Sequence, residues 1–115
     1  MIQIGLEVHI DAPRERVWEI LADHEAMPRW FPAREVIRRS AGSPDPNGVG
    51  AHRVIRLSGL ALEEVVTAFK PSEHLEYSVI AGAPFVDHTA DVILMDENGG
   101  TRVRWSTRFR PLLPG

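Results

Sequence analysis

Ile4-Gly5-Leu6-Glu7-Val8-His9-Ile10 runs directly into Asp11-Ala12-Pro13-Arg14-Glu15-Arg16-Val17-Trp18-Glu19-Ile20-Leu21, and Trp30-Phe31-Pro32 follows shortly after. The first run alternates apolar residues with others, the period of a strand. With Ile2 included, Ile2, Ile4, Leu6, Val8 and Ile10 share one face, so strand one is expected to be buried on one side. The second run reads as a helix start. Asp11 is placed to accept hydrogen bonds from the open amides of the next turn, and Pro13 falls in the first turn, where its missing N–H costs little. Pro13, Val17, Trp18, Ile20 and Leu21 then fall on one arc, opposite Glu15, Arg16 and Glu19. His24 to Trp30 predicts a second short helix, ended by Pro32.

Strand patterns recur from there onward: Arg34–Arg39, Ala51–Leu57, Leu60–Lys70, His74–Ala81, Val86–Asp96 and Thr101–Arg110. Ser43-Pro44-Asp45-Pro46-Asn47-Gly48 predicts the loop joining the first two of these. Asn98-Gly99 predicts a two-residue hairpin turn and sets a register. Glu97 then faces Gly100, Leu94 faces Val103, Val92 faces Trp105, Ala90 faces Thr107 and His88 faces Phe109. In that register the mostly apolar sets of both strands share one face. The other face collects Arg102, Arg104, Ser106, Arg108 and Arg110 across from Met95, Ile93, Asp91, Thr89 and Asp87.

The chain has 115 residues, 43% of them hydrophobic and 25% charged, which suits one soluble domain with a single core. Its net charge of -3 offers no basic excess for nucleic acid or an anionic membrane. The chain contains no cysteine, which removes disulfides, thiolate metal sites and cysteine nucleophiles. Neither a leader pattern nor a run of membrane-spanning length is present, so the expected location is the cytoplasm, without an integral membrane part.

A strand, two short helices and six further antiparallel strands make an α+β chain: a curved antiparallel sheet with both helices between strands one and two. That order is the order of the helix-grip fold, and the residues resemble the polyketide cyclase/dehydrase branch of the START-like (SRPBCC) superfamily. The resemblance rests on Ile10-Asp11-Ala12-Pro13 with Val17-Trp18 and Leu21, on Trp30-Phe31-Pro32, on Glu73-His74-Leu75-Glu76-Tyr77, and on Gly99-Gly100-Thr101-Arg102-Val103-Arg104-Trp105. It covers essentially the whole chain as one START-like domain. It implies a hydrophobic or amphipathic small molecule held between the concave sheet and a long C-terminal helix. Some members carry or sense ligands, while others cyclise, dehydrate or hydrolyse them, and fold alone does not choose.

Arg110-Pro111-Leu112-Leu113-Pro114-Gly115 resembles the loop that leads into that helix, and no helix follows. The helix would bury roughly 6 large apolar side chains at ~1.5–3 kcal/mol each. The expectation is therefore a domain with a missing or truncated C-terminal lid helix, or a homodimer whose second copy covers the concave face, or an open domain.

Strand parity places Trp105, Thr107, Phe109, His88, Val92 and Leu94 on the inner face, with Leu75, Tyr77, Val79 and Ala81 beside them. Trp30 is placed to close one end of the cavity. The expected ligand contacts are thus Trp30, Tyr77, Val79, His88, Val92, Trp105, Thr107 and Phe109. His88 has two readings: a general acid or base at an apolar wall, or a core histidine bonded to Tyr77 or Thr107. Tyr77 is a candidate proton donor or a packing ring. Of Glu63 and Glu64, alternation turns one inward unless a bulge exposes both; Glu64 turned inward would be a buried carboxylate of raised pKa and a candidate base.

Asp87-His88-Thr89-Ala90-Asp91 does not make a metal site, because His88 points away from both aspartates. His9, His24, His52 and His74 read as scattered, so no metal and no cofactor is expected. The arginines of the last strand read as a solvated convex face, partly neutralised by Asp87, Asp91 and Glu76, and no nucleic-acid partner is expected. Three functions follow: a module binding a hydrophobic or aromatic molecule (a lipid or polyketide-like metabolite), a cyclase/dehydrase-type or hydrolytic enzyme using His88 with Tyr77 or Glu64, or an interaction module whose open groove receives a partner helix.

Overall fold

A computed structural model describes residues 1–31 and 33–112; Pro32, read as the end of the second helix, and residues 113–115 of the C-terminal loop lie outside the described residues. β1 (Ile2–Ile10) leads into α1 (Arg14–Ala22) and a short 3-10 helix (His24–Arg29). The strands β2 (Glu35–Ser40), β3 (His52–Leu57), β4 (Leu60–Lys70), β5 (His74–Ala81), β6 (Phe85–Glu97) and β7 (Gly100–Pro111) complete the chain. They form one curved antiparallel sheet in the order β1-β7-β6-β5-β4-β3-β2. Each strand predicted after the helices is present to within one residue at either end.

The last hairpin forms as its turn dictates. Asn98 and Gly99 both take positive φ, 48° and 81°, the geometry that matches the twist of two paired strands. The predicted register holds from Glu97↔Gly100 through Thr89↔Arg108. It breaks beyond, because β6 carries an extra residue: Thr89 pairs with Arg108 but Val86 with Arg110, and Asp87 turns to a φ of 55°. The expected pairing of His88 with Phe109 is replaced by this bulge, which re-aims the His88 ring.

Two clusters make the core. Val17, Trp18 and Ala22 of α1 pack on Val66, Leu75, Val92, Leu94 and Val103, and Trp18 meets Phe69 edge-on at 5.1 Å. Met27 of the 3-10 helix packs with Ala33, Val36 and Ile55. Three expectations need correction. Asp11 does not cap α1: Pro13 occupies the cap position without a side-chain bond, and the Asp11 carboxylate accepts from His9 Nε2 at 2.8 Å instead. The helix entry is fixed by buried Thr101, whose hydroxyl donates to the Ala12 carbonyl at 2.7 Å. Ile20 is exposed rather than buried, with Ala22 taking the core position. β1 is not buried on its apolar side: Ile4 and Leu6 are 56% and 59% exposed, since α1 lies over β6 and β7.

Candidate functional site

The site lies where the two core clusters meet, and a hairpin builds its floor. Ser58-Gly59 closes β3 onto β4 with Leu57 facing Leu60, which sets Arg53 directly across from Glu64. A bulge between Glu63 and Glu64 accompanies this pairing, yet it does not expose both residues. Glu64 is 5% and Arg53 2% exposed. Arg53 donates to Glu64 Oε1 from Nε at 2.9 Å and from Nη2 at 2.6 Å. Burial pushes the Glu64 carboxyl up, against the opposing pull of the Arg53 guanidinium.

Tyr77 stands over this pair. The Arg53 guanidinium carbon lies 5.3 Å from the centre of its ring, and Trp105 Nε1 donates to its hydroxyl at 3.1 Å. Burial, and then the Glu64 charge, push the Tyr77 hydroxyl well above its ordinary value, so it stays protonated. A hollow of about 60 Å³ remains among these groups, walled by Leu62, Leu75, Val92 and Trp105 and covered by Leu21, Met27, Trp30 and Phe31. Trp30 lies 6.2 Å from Trp105, ring centre to ring centre, and is 37% exposed on its outer side.

Behind the hollow, polar groups accumulate. Arg38 of β2 sits directly across from Arg53, its Nη2 donating to Asn47 Oδ1 at 2.7 Å. His24 from the 3-10 helix is 1% exposed, and burial, then the charges of Arg53 and Arg38, push its pKa down to about 3. Neither His24 nitrogen, nor Arg53 Nη1, nor Arg38 Nε has a hydrogen-bond partner among the described residues. Such a set of buried groups calls for a polar guest, water or ligand.

His88 lies further along the same face. The backbone N–H of Val79 donates to its Nδ1 at 2.9 Å, so the ring proton sits on Nε2, which donates to Thr107 Oγ1 at 2.9 Å. Burial lowers its pKa, in keeping with a neutral ring. Phe85 stacks on it at 5.4 Å, and Tyr77 lies 5.9 Å away.

Of the eight expected ligand contacts, Trp30, Tyr77, Val92 and Trp105 line the hollow, as does Glu64. Val79, His88 and Thr107 are joined by hydrogen bonds beyond it, and Phe109 meets Phe85 at 4.8 Å. Sequence reasoning missed Arg53, His24, Met27, Phe31 and Leu62. The signal for Arg53 was present: it shares the parity of Ala51, Ile55 and Leu57, and Ser58-Gly59 read as a two-residue turn pairs it with Glu64.

A curved seven-stranded antiparallel sheet with two short helices after its first strand defines a helix-grip protein. The chain belongs to the family described as polyketide cyclase/dehydrase and lipid transport, whose model matches residues 1–115. An uncharacterized protein of Mycobacterium tuberculosis is 27% identical over 119 residues, covering 86% of this chain and 68% of that protein. Among solved structures, a Thermobifida fusca protein superposes with a TM-score of 0.79 at 26% identity, covering 96% of this chain and 75% of its own. The protein XoxI of Bacillus cereus gives a TM-score of 0.80 at 16% identity, over 100% of this chain and 80% of its own. No helix among the described residues is long and apolar enough to cross a membrane.

Proposed function

We propose that the protein binds an apolar or aromatic small molecule bearing one hydrogen-bond acceptor, with its body on the concave face and its acceptor in the hollow. Arg53 carries this reading. It is buried beside the hollow, two of its nitrogens are spent on Glu64, and Nη1 has no partner among the described residues. A carbonyl or hydroxyl oxygen arriving there relieves a buried donor at no cost in net charge, because Glu64 already neutralises the guanidinium. A hollow of about 60 Å³ holds little more than water, while small-molecule pockets span ~300–1,000 Å³. Entry therefore requires Trp30 and Phe31, 37% and 39% exposed, to turn outward.

The family's description spans both cyclisation and transport. Binding without turnover is favoured because the ionisable groups are engaged by their neighbours: His88 Nδ1 by Val79 N–H, Glu64 by Arg53, and Tyr77 held in its protonated form. Titration with 1-naphthol, followed by tryptophan fluorescence, tests the proposal. One-to-one saturable quenching is expected, weakened about tenfold by Trp105→Ala. A folded protein showing no saturable quenching, and no bound small molecule by native mass spectrometry after purification, would sink it. Glu64-dependent turnover of a linear poly-β-ketone would replace binding with catalysis.

A further inference from the structure

The convex face of the sheet, opposite the hollow, carries a group of side chains that the function above does not use. Glu76 of β5 and Asp91 of β6 are directly opposed in the ladder, and His74 lies two residues before Glu76 on the same face. Their ligating atoms, one nitrogen and two carboxylate oxygens, all lie within 4.8 Å of one another, and all three residues are half-buried. His74 Nε2 donates to Asp91 Oδ1 at 2.6 Å, while Thr67, standing in a bulge of β4, donates to Glu76 Oε1 at 2.7 Å.

Two carboxylates facing each other across a ladder repel, and a sheet normally answers with an arginine or lysine. Here three of the arginines on this face go elsewhere, and Arg108, which lines the same groove as Asp91, makes no ion pair among the described residues. Arg102 pairs with Glu97 and Glu7, Arg104 with Glu7, and Arg110 approaches Asp87 at 3.7 Å. Of Asp87, Asp91 and Glu76, expected to neutralise the arginine ladder in part, Asp87 does meet an arginine, and the expectation is corrected for the other two. Among the described residues neither makes an ion pair with arginine or lysine, and the cross-strand neighbour of Asp91 on β7 is Ser106. Asp91 also borders an open groove, so the cluster is reachable from solvent.

We propose that His74, Glu76 and Asp91 bind a divalent transition-metal ion of the zinc type. One imidazole with two carboxylates is a borderline donor set that suits zinc better than magnesium, which keeps oxygen ligands and its own water. Bonds of ~2.0–2.2 Å place tetrahedral ligand atoms roughly 3.3 Å apart, within reach of small side-chain rotations from the observed spacing. As the metal–nitrogen bond forms, the proton on His74 Nε2 leaves to solvent and the His74–Asp91 hydrogen bond is replaced by a shared metal. Water completes the coordination, and Thr67 orients the Glu76 carboxylate from behind.

The molecule contains its own control. His9 also touches two carboxylates, but Glu97 meets its Nδ1 at 2.9 Å and Asp11 its Nε2 at 2.8 Å, so the two lie on opposite sides of the ring and cannot share an ion with it. Calorimetric titration of the chelator-treated protein with zinc chloride tests the site. A single site of micromolar affinity is expected, with a matching rise in Tm. His74→Ala and Asp91→Asn should abolish it, Thr67→Ala should weaken it ~10-fold, and His9→Ala should leave it unchanged. The absence of zinc binding by the unaltered protein would overturn the proposal. So would binding that survives Asp91→Asn or is lost in His9→Ala. Melting in chelator verifies that each variant is folded, and Glu76→Gln serves in place of any that is not.

Discussion

Beneath α1 the inner face of the sheet offers Val66, Leu94 and Val103, whereas beneath the 3-10 helix it offers Arg38, Arg53 and Glu64 beside the apolar Val36 and Ile55. The first contact is non-directional: apolar surface leaves water and any well-filled arrangement serves. The second depends on geometry. Arg53 and Glu64 lose their hydration and recover it only through bonds of fixed direction, and His24 is packed among them with neither nitrogen bonded to a described residue. One end of the face is therefore built for stability, and the other keeps hydrogen-bonding capacity in reserve.

The sharpest way to break this contrast is to halve the ion pair. Arg53→Met leaves Glu64 buried without its counter-charge and should cost ~3–5 kcal/mol in urea unfolding at pH 7. Adding Glu64→Leu should recover most of that loss, while the binding of 1-naphthol stays impaired because its donor is gone. A double variant as unstable as the single one would show that the pair contributes packing rather than charge balance. On the apolar side, Leu94→Ala, at a residue 3% exposed, should cost ~2–4 kcal/mol at every pH from 4 to 8.

Acid separates the two regions further. The folded state holds His24 neutral down to about pH 3, while the unfolded chain takes up that proton near 6.5. The stabilisation is complete above 6.5 and is lost as pH falls toward 3, by ~1.4 kcal/mol per pH unit. His24→Phe should remove this slope from the pH–stability curve, and equal slopes in both proteins would mean that water reaches the ring.

This division also governs what was legible from residues alone. The strand periods, the Asn98-Gly99 turn and the apolar parity of β5 to β7 lead straight to the sheet and to half of the hollow's wall. Period reports only which side a residue faces, however, and not what stands there. Arg53 in His-Arg-Val-Ile-Arg-Leu looks solvated until the register of the Ser58-Gly59 hairpin brings Glu64 to it. His24 looks isolated because its neighbours come from β2 and β3, and His74 because its partner Asp91 is on another strand. The exposure of β1 had no local signal at all: its alternation is perfect, and burial depends on what lies over it.

His88 tests the boundary between the two kinds of region, since it is a polar side chain doing the work of a backbone. The β5–β6 ladder runs only from His74↔Ile93 to Tyr77↔Ala90, and beyond it the Val79 N–H would face no acceptor. The bulge at Asp87 turns the His88 ring into that gap, and Nδ1 takes the bond. His88→Phe keeps the stacking against Phe85 but orphans the amide, so it should cost ~1–2 kcal/mol and speed hydrogen exchange at Val79. His88→Asn, with a shorter acceptor, should restore part of the protection. If His88→Phe instead left stability and exchange untouched while abolishing an activity, the imidazole would be acting on a substrate and not on the strand beside it.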